Sequence, residues 1–299
     1  MTKAMQNLQG RRFFGLINTL LVLLQNFDVM GKHKLYVWLS KHYSHKVISH
    51  KLAEKEFVVP VDEWCFWLER GPHNYYLDEF VPFFNAINTI SKPFTFFDLG
   101  ADIGTVSALS NKYCPNLHTI YAFEPNKNSF QLLQHNLSGL GKNTLCTNGA
   151  VSNFSGHVAF NSSSVSTIDH EGSINVSKSG DTPVYSLDSW LAETTNCPVM
   201  PFVVLKIDVE GQELQVIQGA TDLIKQADTV AVLLEIHPDV LKQTSTTAEQ
   251  LFSELEKIRG FQWCVPKLNN QVIDRGRDFF EQFPLQQFDV IGMSVTVEV

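Results

Sequence analysis

The stretch 94–104, with the sequence FTFFDLGADIG, constrains the fold of this 299-residue chain more than any other segment. Its apolar first half favours a β-strand, and Gly100 and Gly104 allow a tight turn that passes close to a ligand. A second apolar run, 120–123, ends in Glu124 about 20 residues beyond this turn. The spacing predicts a βαβ unit that binds a nucleoside, with Glu124 accepting hydrogen bonds from both ribose hydroxyls.

The glycine spacing discriminates between the cofactors that carry a ribose. The dinucleotide fingerprint G-x-G-x-x-G requires a glycine two positions after Gly100, where this chain has Asp102. A carboxylate there would repel a pyrophosphate, whereas a cationic sulfonium with an amino-acid tail would tolerate it. An ordinary strand-to-helix turn would explain the two glycines alone. In combination, four residues predict S-adenosyl-L-methionine as the cofactor: Asp98, Gly100, Gly104 and Glu124.

Composition limits the partners and the cellular setting. The net charge of −8 argues against a protein that binds a nucleic-acid backbone, so nucleic acid is not an expected partner. The cysteines lack C-x-x-C pairing, which favours reduced thiols in a cytoplasmic enzyme over a disulfide framework or a zinc site. They are Cys65, Cys114, Cys146, Cys197 and Cys264.

The length fits one large α/β domain with an appendage. Residues 1–90 are the predicted appendage, a helical and aromatic-rich extension that could cap the site, and 91–299 are the predicted cofactor-binding domain. The apolar run 13–24 is too short to span a bilayer, and no small-residue cleavage site follows it. A signal peptide is therefore disfavoured, a packed helix is favoured, and a helix at a membrane surface beside the basic segment 32–46 is the main alternative.

From residue 94 onward the predicted elements alternate between strands and helices, which is typical of a mostly parallel sheet flanked by helices. The predicted strands are 94–98, 119–124, 144–150, 202–208, 230–236, 261–266 and 288–298. The predicted helices are 104–113, 127–138, 187–193, 211–226 and 246–258. A Ser/Asn/Gly-rich stretch, 152–182, lies between the two halves.

A second group of polar side chains follows two later strands. Asp208 and Glu210 come directly after one apolar run, and Glu235 and His237 end the next. Ligands bind beyond the carboxyl ends of parallel strands, so these side chains are expected to face the cofactor. Methyl transfer to a hydroxyl requires a base. The imidazole of His237 suits that task, while Asp208 or Glu210 could take the proton or orient the acceptor.

Structural roles compete with these catalytic ones. Asp208 could cap the following helix, and Lys206 could pair with a carboxylate. Glu213 is expected to be an exposed acid in the first turn of that helix, where the helix dipole favours it. His237, before a proline, could be a surface or packing residue.

Together the motifs resemble the FkbM family of S-adenosylmethionine-dependent methyltransferases. The resemblance spans roughly 57–237 and is carried by segments 98–104, 123–125, 187–188, 206–213 and 235–237. One position departs from the family pattern, because Asp102 stands where the family usually has Asn. The resemblance implies a Rossmann-like class I fold, whose mostly parallel seven-stranded sheet ends in an antiparallel pair.

The resemblance also implies O-methylation of a hydroxyl on a sugar, glycan or related small molecule. It implies that Asp98, Gly100 and Glu124 contact the cofactor and that Ala150 lies on the adenine side. Asp208 is expected to serve both cofactor and acceptor. No metal ligands are assigned, because the carboxylates lack a dedicated ligand spacing.

Two other functions stay open. A scaffold that binds the cofactor without catalysis is disfavoured by the intact acidic strand ends. An N-methyltransferase acting on protein or nucleic acid is disfavoured by the acidic charge and by the lack of an Asn/Asp-Pro-Pro-aromatic segment.

Overall fold

The computed structural model of the chain describes residues 8, 10–161, 172–175, 178–194 and 198–295. Its strands, β1 to β14 in chain order, are Val47–Leu52, Lys55–Pro60, Phe94–Leu99, Leu117–Phe123, Asn143–Thr147, Ala150–Ser152, Gly156–Asn161, Ser173–Asn175, Thr182–Ser186, Phe202–Ile207, Thr229–Ile236, Phe261–Val265, Gln271–Val272 and Phe288–Ser294. Its α-helices are Gly15–Asn26, Lys32–Tyr43, Trp64–Leu68, Leu77–Asn88, Thr105–Tyr113, Lys127–Leu137, Leu187–Glu193, Glu213–Gly219, Thr221–Gln226, Pro238–Thr244, Ala248–Ile258 and Phe279–Gln282.

The main sheet has the strand order β13-β12-β14-β11-β10-β3-β4-β5. Strands β11, β10, β3, β4 and β5 run parallel, and β14 and β12 close the far side antiparallel. This order confirms the predicted Rossmann-like class I fold. The two-residue strand β13 makes the sheet one strand wider than predicted.

The central strands are apolar along their whole length because both faces of the sheet are covered. In β3, Phe94 and Phe96 pack in the cluster on one face, and Phe97 and Leu99 pack in the cluster on the other. The first cluster also contains N-terminal residues such as Trp67. Residues before 90 therefore share a hydrophobic core with the sheet, while a domain boundary at residue 90 stays a prediction.

The N-terminal region is not purely helical as predicted, because β1 and β2 form an antiparallel hairpin. Ala53 and Glu54, both with positive φ, make the turn. The buried Asn136 side chain accepts from the Val58 amide at 2.8 Å and donates to the Val58 carbonyl at 3.0 Å. The apolar β-branched residues of this hairpin and its contact with a later helix favour strands. The aromatic content of the region had indicated a helix instead.

Two predicted elements are divided in the structure. The predicted strand 144–150 is two strands, and the second, β6, joins a separate sheet of order β6-β9-β7-β8. That sheet includes strands from the Ser/Asn/Gly-rich stretch 152–182. The predicted helix 211–226 breaks after Gly219, where a Cβ atom would lie 2.0 Å from the Ser152 carbonyl oxygen. A separate helix, Pro238–Thr244, precedes the predicted helix 246–258.

The four described cysteines are free thiols. Cys197 and the last residues of the predicted strand 288–298 lie outside the described residues. Among the helices that are described, none combines the length and the apolar character needed to cross a membrane.

Candidate active site

The carboxyl ends of the central strands open into one cavity of about 900 Å³. Seven of the nine predicted site residues line it: Gly100, Asp102, Glu124, Ala150, Asp208, Glu210 and His237. Asp98 and Gly104 lie behind its wall. Ala150 reaches the cavity as the first residue of β6 in the second sheet, not as the predicted end of the third parallel strand. The physical reason is that the chain leaves the main sheet at Thr147.

The turn after β3 requires glycine because another backbone passes beside it. Gly100 has φ +77°, and a Cβ atom there would lie 1.8 Å from the Asp208 carbonyl oxygen. Gly104 has φ +87° and begins the helix Thr105–Tyr113; a Cβ atom there would meet the Leu133 side chain at 2.8 Å. The loop can therefore lie against the end of β10 and leave its backbone on the cavity wall.

The Glu124 carboxylate is fixed by the two loops that flank it. Its Oε2 accepts a hydrogen bond from the Asp102 amide at 2.9 Å, and its Oε1 accepts one from the Asn126 amide at 2.7 Å. Burial raises the pKa of Glu124 to about 8, and the nearby charge of Asp102 adds to this effect. Each oxygen retains a lone pair for a donor on a ligand.

Lys206 joins the two halves of the site. Its ammonium lies 2.9 Å from Asp208 Oδ2 and 3.6 Å from Asp98 Oδ1, and it donates to the Gly100 carbonyl at 2.9 Å. Burial lowers the pKa of Lys206, but the attraction of Asp208 and Asp98 outweighs burial and leaves it above its usual value. Lys206 therefore pairs with carboxylates, one of the alternatives that the sequence left open.

Asp98 is fully buried behind this lysine. Its Oδ2 accepts a hydrogen bond from the Ser107 hydroxyl at 2.6 Å. Burial raises the pKa of Asp98, and the nearby Lys206 acts against that rise. Lys206 therefore lies between Asp98 and the cavity, whereas the sequence predicted that Asp98 contacts the cofactor directly.

Three carboxylates meet at the other end of the cavity. Asp208, Glu210 and Glu235 each bring an oxygen atom within 4.8 Å of the other two, a spacing that a divalent cation could share. Gln287 donates a hydrogen bond to Glu235. Burial raises the pKa of Glu235 well above its usual value, and the charges of Asp208 and Glu210 raise it further.

Glu213 is not the exposed helix-end acid that the sequence predicted. It is buried, and its Oε1 accepts from the Gly211 amide at 3.0 Å and the Val209 amide at 3.3 Å. The side chain turns back into the loop because these two amides would otherwise lack a partner inside the protein. Glu213 therefore fixes the loop that carries Asp208 and Glu210.

His237 precedes the helix Pro238–Thr244 and lines the cavity. Its carbonyl oxygen accepts the Leu241 amide at 2.9 Å. Its Nδ1 atom is buried and has no hydrogen-bond partner among the described residues.

Part of the cavity wall carries no sequence motif. The N-terminal region contributes Cys65, Tyr75, Tyr76, Glu79 and Phe80, and the C-terminal region contributes Lys267, Gln287 and Asp289. Lys267 Nζ lies 2.5 Å from Glu79 Oε1 and so links the two regions. Burial raises the pKa of Asp289, with Glu79 adding to the rise. The cluster of aromatic residues before residue 77 was the one signal for this wall in the sequence.

Comparison with known proteins agrees with this geometry. The sequence profile of the Methyltransferase FkbM domain matches residues 98–262, more than half of the chain. The chain is 29% identical over 164 residues to the hexuronic acid methyltransferase AglP of Haloferax volcanii; the match covers 54% of this chain and 65% of that protein. The chain thus spans less than two thirds of this relative's length.

Two solved structures are also similar. The FkbM methyltransferase of Methylobacillus flagellatus KT has 15% identity and a TM-score of 0.42, covering 78% of this chain and 54% of that one. M. jannaschii TYW2 in complex with AdoMet has 12% identity and a TM-score of 0.40, covering 83% and 84%. The fold assignment rests on the sheet order and not on these low scores. Because the FkbM profile covers more than half of the sequence, the chain belongs to the FkbM methyltransferase family.

Proposed function

We propose that this chain is an S-adenosylmethionine-dependent O-methyltransferase that acts on a hydroxyl of a sugar, glycan or related small molecule. One observation carries the proposal: a single cavity has the fixed Glu124 carboxylate at one end and Asp208, Glu210 and His237 at the other. The FkbM family supports methyl transfer. The name of the relative from Haloferax volcanii supports a sugar acceptor.

The residues at the Glu124 end fit the nucleoside part of the cofactor. Glu124 offers two lone pairs to the ribose hydroxyls, and the absence of a side chain at Gly100 allows the cofactor to approach the backbone closely. Ala150 supplies an apolar surface beside them on the same cavity wall. When bound, S-adenosylmethionine supplies an electrophilic methyl group on a sulfonium.

The protein must then remove the proton of the acceptor hydroxyl. We assign that step to His237, which lines the cavity beside the acidic end and carries an imidazole, a side chain suited to proton transfer near neutral pH. Asp208 is held by Lys206 at 2.9 Å, so it is suited to accept a hydrogen bond from the acceptor and orient it. Glu210, on the same loop, is suited to the same task.

The charge of the cavity narrows the acceptor class. Eight carboxyl groups line it among the described residues, and they outnumber the two ammonium groups of Lys206 and Lys267 even when the three with strongly raised pKa values, Glu124, Glu235 and Asp289, are protonated. The raised pKa values of Glu235 and Asp289 reflect burial and this mutual repulsion. An acceptor with its own carboxylate would add to the repulsion. We therefore propose a neutral sugar or an amino sugar as acceptor, in contrast to the hexuronic acid named for the relative.

The test is transfer of a labelled methyl group from S-adenosylmethionine to separate pools of neutral sugars, amino sugars, uronic acids, RNA and protein. Label on a neutral or amino sugar supports the proposal. Label on RNA or protein would favour the N-methyltransferase alternative. Cofactor binding without transfer to any pool would favour the scaffold.

Two variants test the two ends of the cavity separately. Glu124→Ala is expected to weaken cofactor binding, because the ribose loses its acceptor. His237→Ala is expected to keep cofactor affinity and to lower the turnover rate roughly 100-fold. Unchanged affinity in the first variant, or unchanged turnover in the second, would remove the role assigned to that residue.

A further inference from the structure

The inner face of the helix Gly15–Asn26 carries polar side chains beside the buried Leu21, and its outer face is largely apolar. Gln25 is fully buried and lies 2.6 Å from the His50 ring nitrogen Nε2. The Asn18 side chain bonds to the backbone of Ser49 at 2.9 and 2.8 Å. The outward residues are Leu16, Ile17, Leu20 and Leu23, with exposures of 89, 60, 57 and 48%. A helix on a water-exposed protein surface normally presents polar side chains to the solvent.

The apolar surface continues beyond both ends of this helix. We call it the apolar patch and define it as Phe14, Leu16, Ile17, Leu20, Leu23, Phe27, Val29 and Met30. These eight residues are half of the large hydrophobic side chains that are exposed in the described part of the chain. Such a concentration marks a binding surface, whereas single exposed hydrophobic residues are ordinary.

The charges beside the apolar patch indicate what covers it. Residues 10–46 contain six lysines and arginines and one carboxylate, Asp28, in a chain whose net charge is −8. The next helix, Lys32–Tyr43, exposes Lys34 and Lys41 and leaves half of Trp38 open to solvent. Cationic and tryptophan side chains beside an apolar helix are typical of a membrane interface. A second copy would bring like charges together.

We propose that the apolar patch inserts into the headgroup region of an anionic membrane. The helix Gly15–Asn26 has 12 residues, about 18 Å, against about 30 Å for the hydrocarbon core. It is therefore too short to cross and lies in the plane of the interface. Lys34 and Lys41 then lie near anionic headgroups. This proposal does not depend on the catalytic one.

The test is flotation of the full chain with vesicles of phosphatidylcholine, alone or with about one third phosphatidylglycerol. The wild type is expected to float with the anionic vesicles. The triple variant Leu16→Ser, Leu20→Ser, Leu23→Ser is expected to lower the partition coefficient at least about tenfold. The matched control is Val272→Ser with Leu285→Ser, two residues that are 72 and 75% exposed elsewhere, and it is expected to float like the wild type.

A second pair of substitutions tests the charge contribution. Lys34→Gln with Lys41→Gln is expected to weaken binding to anionic vesicles about fivefold per lysine. The thermal unfolding of each variant checks that it is folded. Three results would overturn the proposal: a wild type that floats with neither vesicle, a triple variant that floats like the wild type, or a wild-type dimer that the triple variant converts to a monomer.

Discussion

Nucleoside affinity is expected to rise with pH, because the Glu124 carboxyl group must be ionised to accept two hydrogen bonds from a ribose. The protonated form turns one oxygen into a donor, which leaves a single good acceptor for the two hydroxyls. Burial, with a further contribution from Asp102, raises the pKa of this group to about 8. The group is therefore largely protonated in the ligand-free protein at neutral pH.

The size of the effect follows from that pKa. About a tenth of the molecules carry an ionised Glu124 at pH 7, and about nine tenths carry it at pH 9. The dissociation constant should therefore fall roughly tenfold between pH 7 and pH 9, or about 1.4 kcal/mol. Between pH 7 and pH 6 it should rise by a similar factor.

The suitable probe is 5′-methylthioadenosine, titrated calorimetrically from pH 6 to pH 9. It keeps the ribose but lacks the amino-acid tail, so its own charge stays constant over this range. Glu124→Gln is the matched control, because it keeps the shape and removes the titration. Its affinity should be low and independent of pH. A flat profile for the wild type, or an unchanged slope in Glu124→Gln, would refute the reasoning.

Gly100→Ala should lower the free energy of unfolding by roughly 3 kcal/mol in chemical denaturation, because the added Cβ would lie 1.8 Å from the Asp208 carbonyl oxygen. The control is Gly139→Ala, which has the same φ but open space around it and should cost only about 1 kcal/mol. Lys206→Met should cost about 3–5 kcal/mol at pH 8, because it leaves Asp98 buried without its cation. A carboxyl group whose pKa is raised by folding destabilises the folded protein more as the pH rises. The stability deficit of Lys206→Met should therefore shrink at pH 5, and adding Asp98→Asn should restore stability. Methyl transfer should continue in excess EDTA, because the Lys206 ammonium already neutralises Asp208; loss of turnover that Mg²⁺ restores would contradict this.

The sequence predicts the strand ends well because their constraints are local. The positive φ of Gly100 belongs to one backbone turn, and Glu124 follows from the length of one βαβ unit. Asp208 and Glu210 needed only the rule that parallel strands end at the same edge of a sheet. These residues therefore line one cavity, as the spacing indicated.

The remaining features depend on contacts between distant segments. Glu213 satisfies the helix-dipole rule whether it is exposed or buried, so its turn into the Val209–Gly211 loop could not be predicted. Tyr75 and Glu79 line the cavity because the helix Leu77–Asn88 packs against the short turn Pro266–Leu268, more than 100 residues later in the chain. Periodicity identifies such a helix, but it does not indicate which neighbour the helix meets.

The placement of Lys206 connects the local and the distant constraints. The pairing of β10 with β3 sets Lys206 opposite Asp98, and this register follows from two buried strands that cannot slip without exposing their apolar residues. From that position one ammonium reaches the Gly100 carbonyl at the cofactor loop and Asp208 at the acceptor end. A change in its charge must therefore act on both ends together. Cofactor affinity and turnover should then fall together in Lys206→Met, while Glu124→Gln and His237→Ala affect them separately.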